Sequence, residues 1–274
     1  MSSYLSNAET CLRKRRVERL DGDARAVVAC IFRGSSRDSV EDLEMFFILR
    51  AFDPRGSRWS GQVAFPGGHV EVKRGETDED AVAREVKEEV GLDLKAGGHY
   101  RFLGEIEQQV VTKRDGTTLV VCCHVFEQLV AEAPVNVQVE EVAACGWARF
   151  DSLITDEFVK SLNWTPAITN NLQAMRNEES PKYSSRANNE HYYGFPSVLL
   201  PMANDLVIAA NGVTEGFIRS KFTLWGLTLG LVNDLLLTTQ ARSEPIDRDL
   251  LAKIEEGPAG HKKNARGNRK ASSL

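Results

Sequence analysis

A chain of 274 residues, 42% hydrophobic and 27% charged, is long enough for one sizeable core with appendages, and its net charge of −5 argues against a global nucleic-acid-binding field. Five cysteines, Cys11, Cys30, Cys122, Cys123 and Cys145, form no CxxC pair, and neither their odd number nor their spacing suggests a zinc or disulfide framework, which points to a reducing compartment. No apolar run reaches the roughly 18 residues of a membrane span, and the start lacks the apolar core of a secretory signal.

Residues 1–20 mix Leu5, Leu12, Val17 and Leu20 with the basic run Arg13 to Arg16 and predict a leading helix with a solvated basic face. A mitochondrial transit peptide is the competing reading, opposed by Glu9 and Glu18. "ARAVVACIF" (Ala24–Phe32) and "MFFILRAF" (Met45–Phe52) read as paired strands across a polar loop. A loop rich in Arg, Gly and Ser then leads through "WSGQVAFPGG" into an acidic segment with helical periodicity. "YRFLGEIEQQVV" and "TTLVVCCHVFEQLV", split by Asp115-Gly116, predict a hairpin, and "EEVAACGWARFDSL" a short strand turning into a helix near Asp151. "RNEESPKYSSRANNEH" reads as a mobile loop, and "FIRSKFTLWGLTLGLVNDLLL" as one largely buried helix. The basic end, 241–274, has no apolar periodicity and reads as a disordered tail. Strands around one central helical segment predict an α/β or α+β sandwich, with residues 1–20 as an extension and 21–240 as a single domain.

In the acidic segment, Thr77 is placed to cap a helix whose first turn holds Asp78, Glu79 and Asp80, and Gly91 to close it. Val82, Val86 and Val90 make one stripe, and Glu85, Glu88 and Glu89 share the adjoining arc. Spacing alone reads as a solvated acidic face. The neighbourhood points elsewhere. Three carboxylates beside a packed face raise one another's pKa unless a cation neutralises them, and all-oxygen ligands suit Mg²⁺ or Mn²⁺. "FPGG" offers two glycines, Gly67 and Gly68, whose backbone approaches a ligand closely.

Glu76, seven intervening residues and then "REVKEEVGL" (Arg84–Leu92) resemble the Nudix box, G-x5-E-x7-R-E-U-x-E-E-x-G-U with U apolar. In this sequence seven residues, rather than five, separate Gly68 from Glu76, so "VEVKRG" lengthens the turn. The resemblance implies a Nudix-type α/β/α sandwich around a mixed sheet and hydrolysis of a nucleoside diphosphate linked to another moiety. By position it implies Glu85, Glu88, Glu89 and Gly68 as metal ligands, Arg84 and Glu76 as their orienting partners, Gly67 against the substrate, and Glu89 as general base, with Glu140 or Glu141 as alternatives. Upstream, "ILRAFDPRGSRWSGQVAFPGG" (Ile48–Gly68) is similar to the element that precedes the box in coenzyme A diphosphatases, as are "FPSVLLP" and "LWGLTLGLVNDLL" downstream. This implies coenzyme A or an acyl derivative as substrate, with Arg50 and Arg58 on its phosphates, while Arg55 reads as a solvated loop residue and His69 as a solvent-facing or phosphate-touching one. A Nudix hydrolase for ADP-ribose, dinucleotides or damaged nucleotides is the alternative enzyme, and a Nudix-fold RNA- or protein-binding module the alternative class. Nucleic acid and membrane partners are not expected. The terminal "SSL" resembles a degenerate peroxisomal address, so the expected location is cytoplasmic or peroxisome-like.

Overall fold

Period-two alternation along the central strands sends side chains to opposite faces of one sheet. In the computed structural model, which describes residues 4–34, 42–52, 60–112, 115–155, 163–165, 183–184, 191–192, 195–210 and 212–243, β1 (Ala24–Arg33) shows this plainly. Its Val27, Ala29 and Ile31 enter one core, and Ala26, Cys30 and Phe32 the other.

Around β1 lie β2 (Glu44–Arg50), β3 (Val63–Ala64), β4 (Gly67–His69), β5 (Tyr100–Glu105), β6 (Gln109–Thr112), β7 (Thr118–Gln128) and β8 (Val142–Arg149). Smaller pieces follow: β9 (Asn163–Thr165), β10 (Tyr183–Ser184), β11 (His191–Tyr192), β12 (Phe195–Leu199), β13 (Val207–Ile208) and β14 (Thr223–Trp225). The main sheet runs β13-β8-β2-β1-β7-β5, with β3 on β2, β4 on β1 and β6 on β7. It is mixed: β1 and β7 are parallel, from Ala24 opposite Leu119 to Phe32 opposite Glu127, and its other pairings are antiparallel. The expected pairing of β1 with β2 occurs at Phe32 opposite Met45, but β2 takes β8 as its long partner. The expected hairpin across Asp115-Gly116 is the β6–β7 pair.

One face carries α2 (Asp78–Val90), which buries Val82, Val86 and Val90 against Val27, Ile31 and Phe46. The other carries α1 (Tyr4–Lys14) and α5 (Gly226–Thr238), which bring Leu5, Leu12, Leu231 and Leu235 into the second core. A sheet between helices is an α+β fold. The N-terminal helix touches the last one directly, since Tyr4 Oη and Thr239 Oγ1 share a hydrogen bond of 2.8 Å. The strand β8 runs into α3 (Phe150–Ile154), as its sequence suggests.

The predicted single C-terminal helix is corrected. The run divides into α4 (Glu215–Lys221), the strand β14 and α5. Thr223, Leu224 and Trp225 are β-branched, apolar and aromatic, and they pair with Leu199, Val198 and Ser197 of β12 before Gly226 turns the chain at φ +56°. A continuous apolar run does not show where a buried strand gives way to a buried helix. Among the described residues no helix is long and apolar enough to cross a membrane. The loop expected over 176–191 and the tail beyond 243 lie outside the described residues, apart from β10 and His191.

Candidate active site

The local frame of α2 follows from its ends. Thr77 Oγ1 accepts the Asp80 N–H at 3.1 Å, and Gly91 closes the helix in the left-handed conformation at φ +77°. With the valines against the sheet, the three glutamates stand at different depths: the Glu89 side chain is 2% exposed, Glu85 16% and Glu88 55%.

Glu89 points into the fold beside β4. Its Oε2 accepts the Gly67 N–H at 2.8 Å, and Arg50 Nη1 lies 3.7 Å from its Oε1. Burial pushes its carboxyl up to about 8, although Gly67 and Arg50 pull the other way. Burial also raises Glu85, against the pull of Arg84, and the nearby charge of Glu141 adds to both shifts. Glu141 is itself exposed, and its carbonyl accepts the Ala51 N–H at 2.7 Å, beside Arg50. Glu140 is exposed to solvent.

Arg84 ties the group together. Its guanidinium grips Glu76 with two bonds, Nε to Oε1 at 2.8 Å and Nη2 to Oε2 at 3.1 Å. Nη1 reaches Glu85 at 2.8 Å and Glu88 at 3.3 Å, and Nη2 also donates to the His69 carbonyl at 3.1 Å. Glu76 is held below the usual carboxylate range by these bonds, and Arg84 is pushed up by them. Such a fork fixes rotamers that three free glutamates would not keep.

The lengthened turn is taken up beyond Gly68. Residues 72–74 make one 3₁₀ turn that ends at Gly75, and Glu76 Oε2 accepts the Glu71 N–H at 2.7 Å. Gly68 stays in register opposite Val27 of β1, packed against Glu85. A Cβ on Gly68 would run into the Glu85 carboxylate, and one on Gly67, at φ +146°, into the Val27 carbonyl. Gly68→Ala is therefore expected to displace Glu85 and lower kcat by about 10–100-fold while the protein stays folded. Steady-state rates beside circular dichroism check this; an unchanged kcat would show that the Glu85 position is immaterial.

Of the residues singled out in the sequence, Arg50, Gly67, Gly68, Glu76, Arg84, Glu85, Glu88 and Glu89 come together here. Arg55 and Arg58 lie outside the described residues, and the exposed His69 contributes its carbonyl. The bond from Glu71 to Glu76 was not legible, because it depends on how the extra residues fold back. The donors are carboxylate and backbone oxygens, the set preferred by Mg²⁺ and Mn²⁺. Among the described residues no three His, Cys, Asp or Glu side chains already converge as a cage, and Arg84 holds Glu85 and Glu88. The buried, proton-retaining Glu89 fits a divalent cation, whose charge would replace that proton.

The NUDIX domain family model matches residues 23–168, more than half of the chain. The chain belongs to the Nudix family. With its box glutamates and arginine in place it is a Nudix pyrophosphohydrolase, an enzyme of a class that generally uses divalent metal ions. Solved Nudix structures resemble it. An Ap4A hydrolase from C. elegans, in a binary complex, is 19% identical, with a TM-score of 0.37 over 48% of this chain and 83% of that one. RenU, a Nudix hydrolase from M. smegmatis, is 18% identical, with a TM-score of 0.37 over 50% and 76%. The NUDIX domain of NrtR from Shewanella oneidensis, complexed with ADP ribose, is 16% identical, with a TM-score of 0.35 over 53% and 84%. No curated protein matches the chain.

Proposed function

We propose that this Nudix enzyme is a Mg²⁺- or Mn²⁺-dependent diphosphatase that cleaves coenzyme A or an acyl derivative into 3′,5′-ADP and 4′-phosphopantetheine. The observation that carries the reading is Arg50, supplied by the Ile48–Gly68 element, standing 3.7 Å from buried Glu89 and so beside the glutamates of the box.

Glu85, Glu88, Glu89 and the Gly68 carbonyl would hold the ion, which when bound neutralises charge on the pyrophosphate oxygens and acidifies a water. Arg84 and Glu76 hold the carboxylates in place. Arg50 pairs with a phosphate of the substrate and keeps it against Glu89. Glu89, as the carboxylate that a bound ion would favour, takes the proton of the attacking water as the bridging P–O bond breaks. Residues 70–75 depart from the family pattern, and this keeps ADP-ribose, a dinucleotide or a damaged nucleotide as the alternative substrate.

Purified protein with Mg²⁺ or Mn²⁺ is expected to cleave coenzyme A in a panel that includes ADP-ribose, dinucleotides and oxidised nucleotides, and Glu85→Gln and Glu88→Gln to lose about 100-fold in kcat. Turnover of ADP-ribose or nucleotides alone would overturn the coenzyme A reading. Absence of all turnover, with RNA retained, would favour a binding module.

A further inference from the structure

The turn that lengthens the box walls a cavity of about 600 Å³, and none of the hydrolytic groups described above uses that space. The opposite wall is the segment leading into β1, from Arg19 to Arg25. Its buried lining is Val70 and Val120, 8% and 1% exposed, with Leu20 beside them, and Arg25, also 8% exposed, whose guanidinium is turned to Asp78. Val72, on the 3₁₀ turn, also lines the space and is left 59% exposed. Around these residues Arg19, Lys73 and Arg74 stand with Asp21, Asp23 and Glu71, and the fourth cation, Arg25, is neutralised by its bond to Asp78, so the rim is close to charge-balanced. An apolar lining within a charge-balanced rim suits an uncharged, partly apolar group better than a further phosphate.

The cavity is tied to the glutamates by short links. His69 lines it, follows Gly68 in β4, and has its carbonyl held by Arg84. Glu71, in the same wall, gives its N–H to Glu76, which Arg84 grips together with Glu85. Gly68 and Val72 are four residues apart, within about 14 Å even if fully extended, so one substrate molecule can span both places.

We propose that this cavity receives the uncharged arm that the substrate carries on the far side of the scissile pyrophosphate, the chain of amides and methylenes that coenzyme A presents as pantetheine. The assignment rests on the diphosphatase reading above. It makes the lengthened turn the element that reads the moiety beyond the diphosphate, while the box holds the diphosphate itself. The Val72 side chain is the specificity-determining contact.

The test titrates pantetheine, which lacks nucleotide and phosphates, onto the wild-type protein, Val72→Asp and Val72→Tyr by calorimetry, with kcat and KM for coenzyme A and ADP-ribose measured on the same proteins. Pantetheine is expected to bind the wild type and to lose at least about tenfold in affinity in both variants. KM for coenzyme A should rise about tenfold with kcat held within roughly twofold, and the ADP-ribose constants should not move. Because Val72 is exposed, both variants are expected to fold, and circular dichroism verifies it. No binding of pantetheine to the wild type, or equal binding to all three proteins, overturns the proposal. A wild type that leaves coenzyme A intact overturns the diphosphatase reading instead, and the pantetheine titration still decides the cavity.

Discussion

Glu89→Gln is expected to lower kcat by about 10³-fold while making the metal-free protein more stable at pH 8. Both effects have one cause. The Glu89 carboxyl is buried, with its folded-state value pushed from 4.5 up to about 8 by that burial. Between those two values the folded chain keeps a proton that the unfolded chain has lost. Stability from this group is therefore fully present below about pH 4.5 and falls as pH rises toward about 8, by up to about 1.4 kcal/mol per pH unit. A divalent cation at the site needs the carboxylate form, so its affinity should climb over the same window and its binding should release a proton. Glutamine keeps an oxygen for the Gly67 N–H but neither titrates nor offers a charge to the ion. Chemical denaturation of the metal-free wild type and variant from pH 5 to pH 8, with calorimetric Mg²⁺ titrations alongside, measures each part. A wild-type stability that does not fall over this range more than the variant's would mean that Glu89 is already ionised in the folded protein.

Arg25→Met is expected to cost about 3–5 kcal/mol of stability. Arg25 and Asp78 are 8% and 10% exposed at their side chains, and two guanidinium nitrogens meet the carboxylate, Nε at 2.7 and 3.0 Å and Nη2 at 2.5 Å. Burial pushes the Asp78 carboxyl up, but the bonds from Arg25 outweigh it and hold it low. Removing the arginine leaves a buried carboxylate in the first turn of α2, where the strand β1 no longer anchors it. Thermal unfolding should show the midpoint fall by roughly 10 °C. The double variant Arg25→Met with Asp78→Leu should recover much of the loss, because no charge is then stranded. A single variant that melts within a degree of the wild type would show that water reaches the pair.

How much of this was legible in the sequence depends on how local each cause is. Thr77, the valine stripe and Gly91 specify α2 within 15 residues of chain, and the structure places all of them as read. The glutamates and Arg84 keep their register for the same reason: one helix carries them. The long pairing of β2 with β8 and the Arg25–Asp78 bond join residues far apart in sequence, and no local pattern announces them. At Phe222–Trp225 the local signal was misleading, since apolar side chains suit a buried strand as well as a buried helix. The lengthened turn was visible as two extra residues between Gly68 and Glu76, but only the fold shows that they coil into a 3₁₀ turn and leave the contact of Gly68 with Glu85 intact.

The seam between α1 and α5 sets an order of events during synthesis. Leu5, Ala8 and Leu12 are made long before one side of their seat, α5, which follows more than 200 residues later. At about 5–20 residues per second, the apolar stripe of α1 waits roughly 10–50 s for that surface to leave the ribosome. The parallel pairing of β1 with β7 imposes a shorter delay of the same kind, because β1 waits for a partner about 95 residues downstream. The leucines of α1 thus wait longer for cover than β1 does, and a truncation that removed α5 would leave them open to association with other nascent chains.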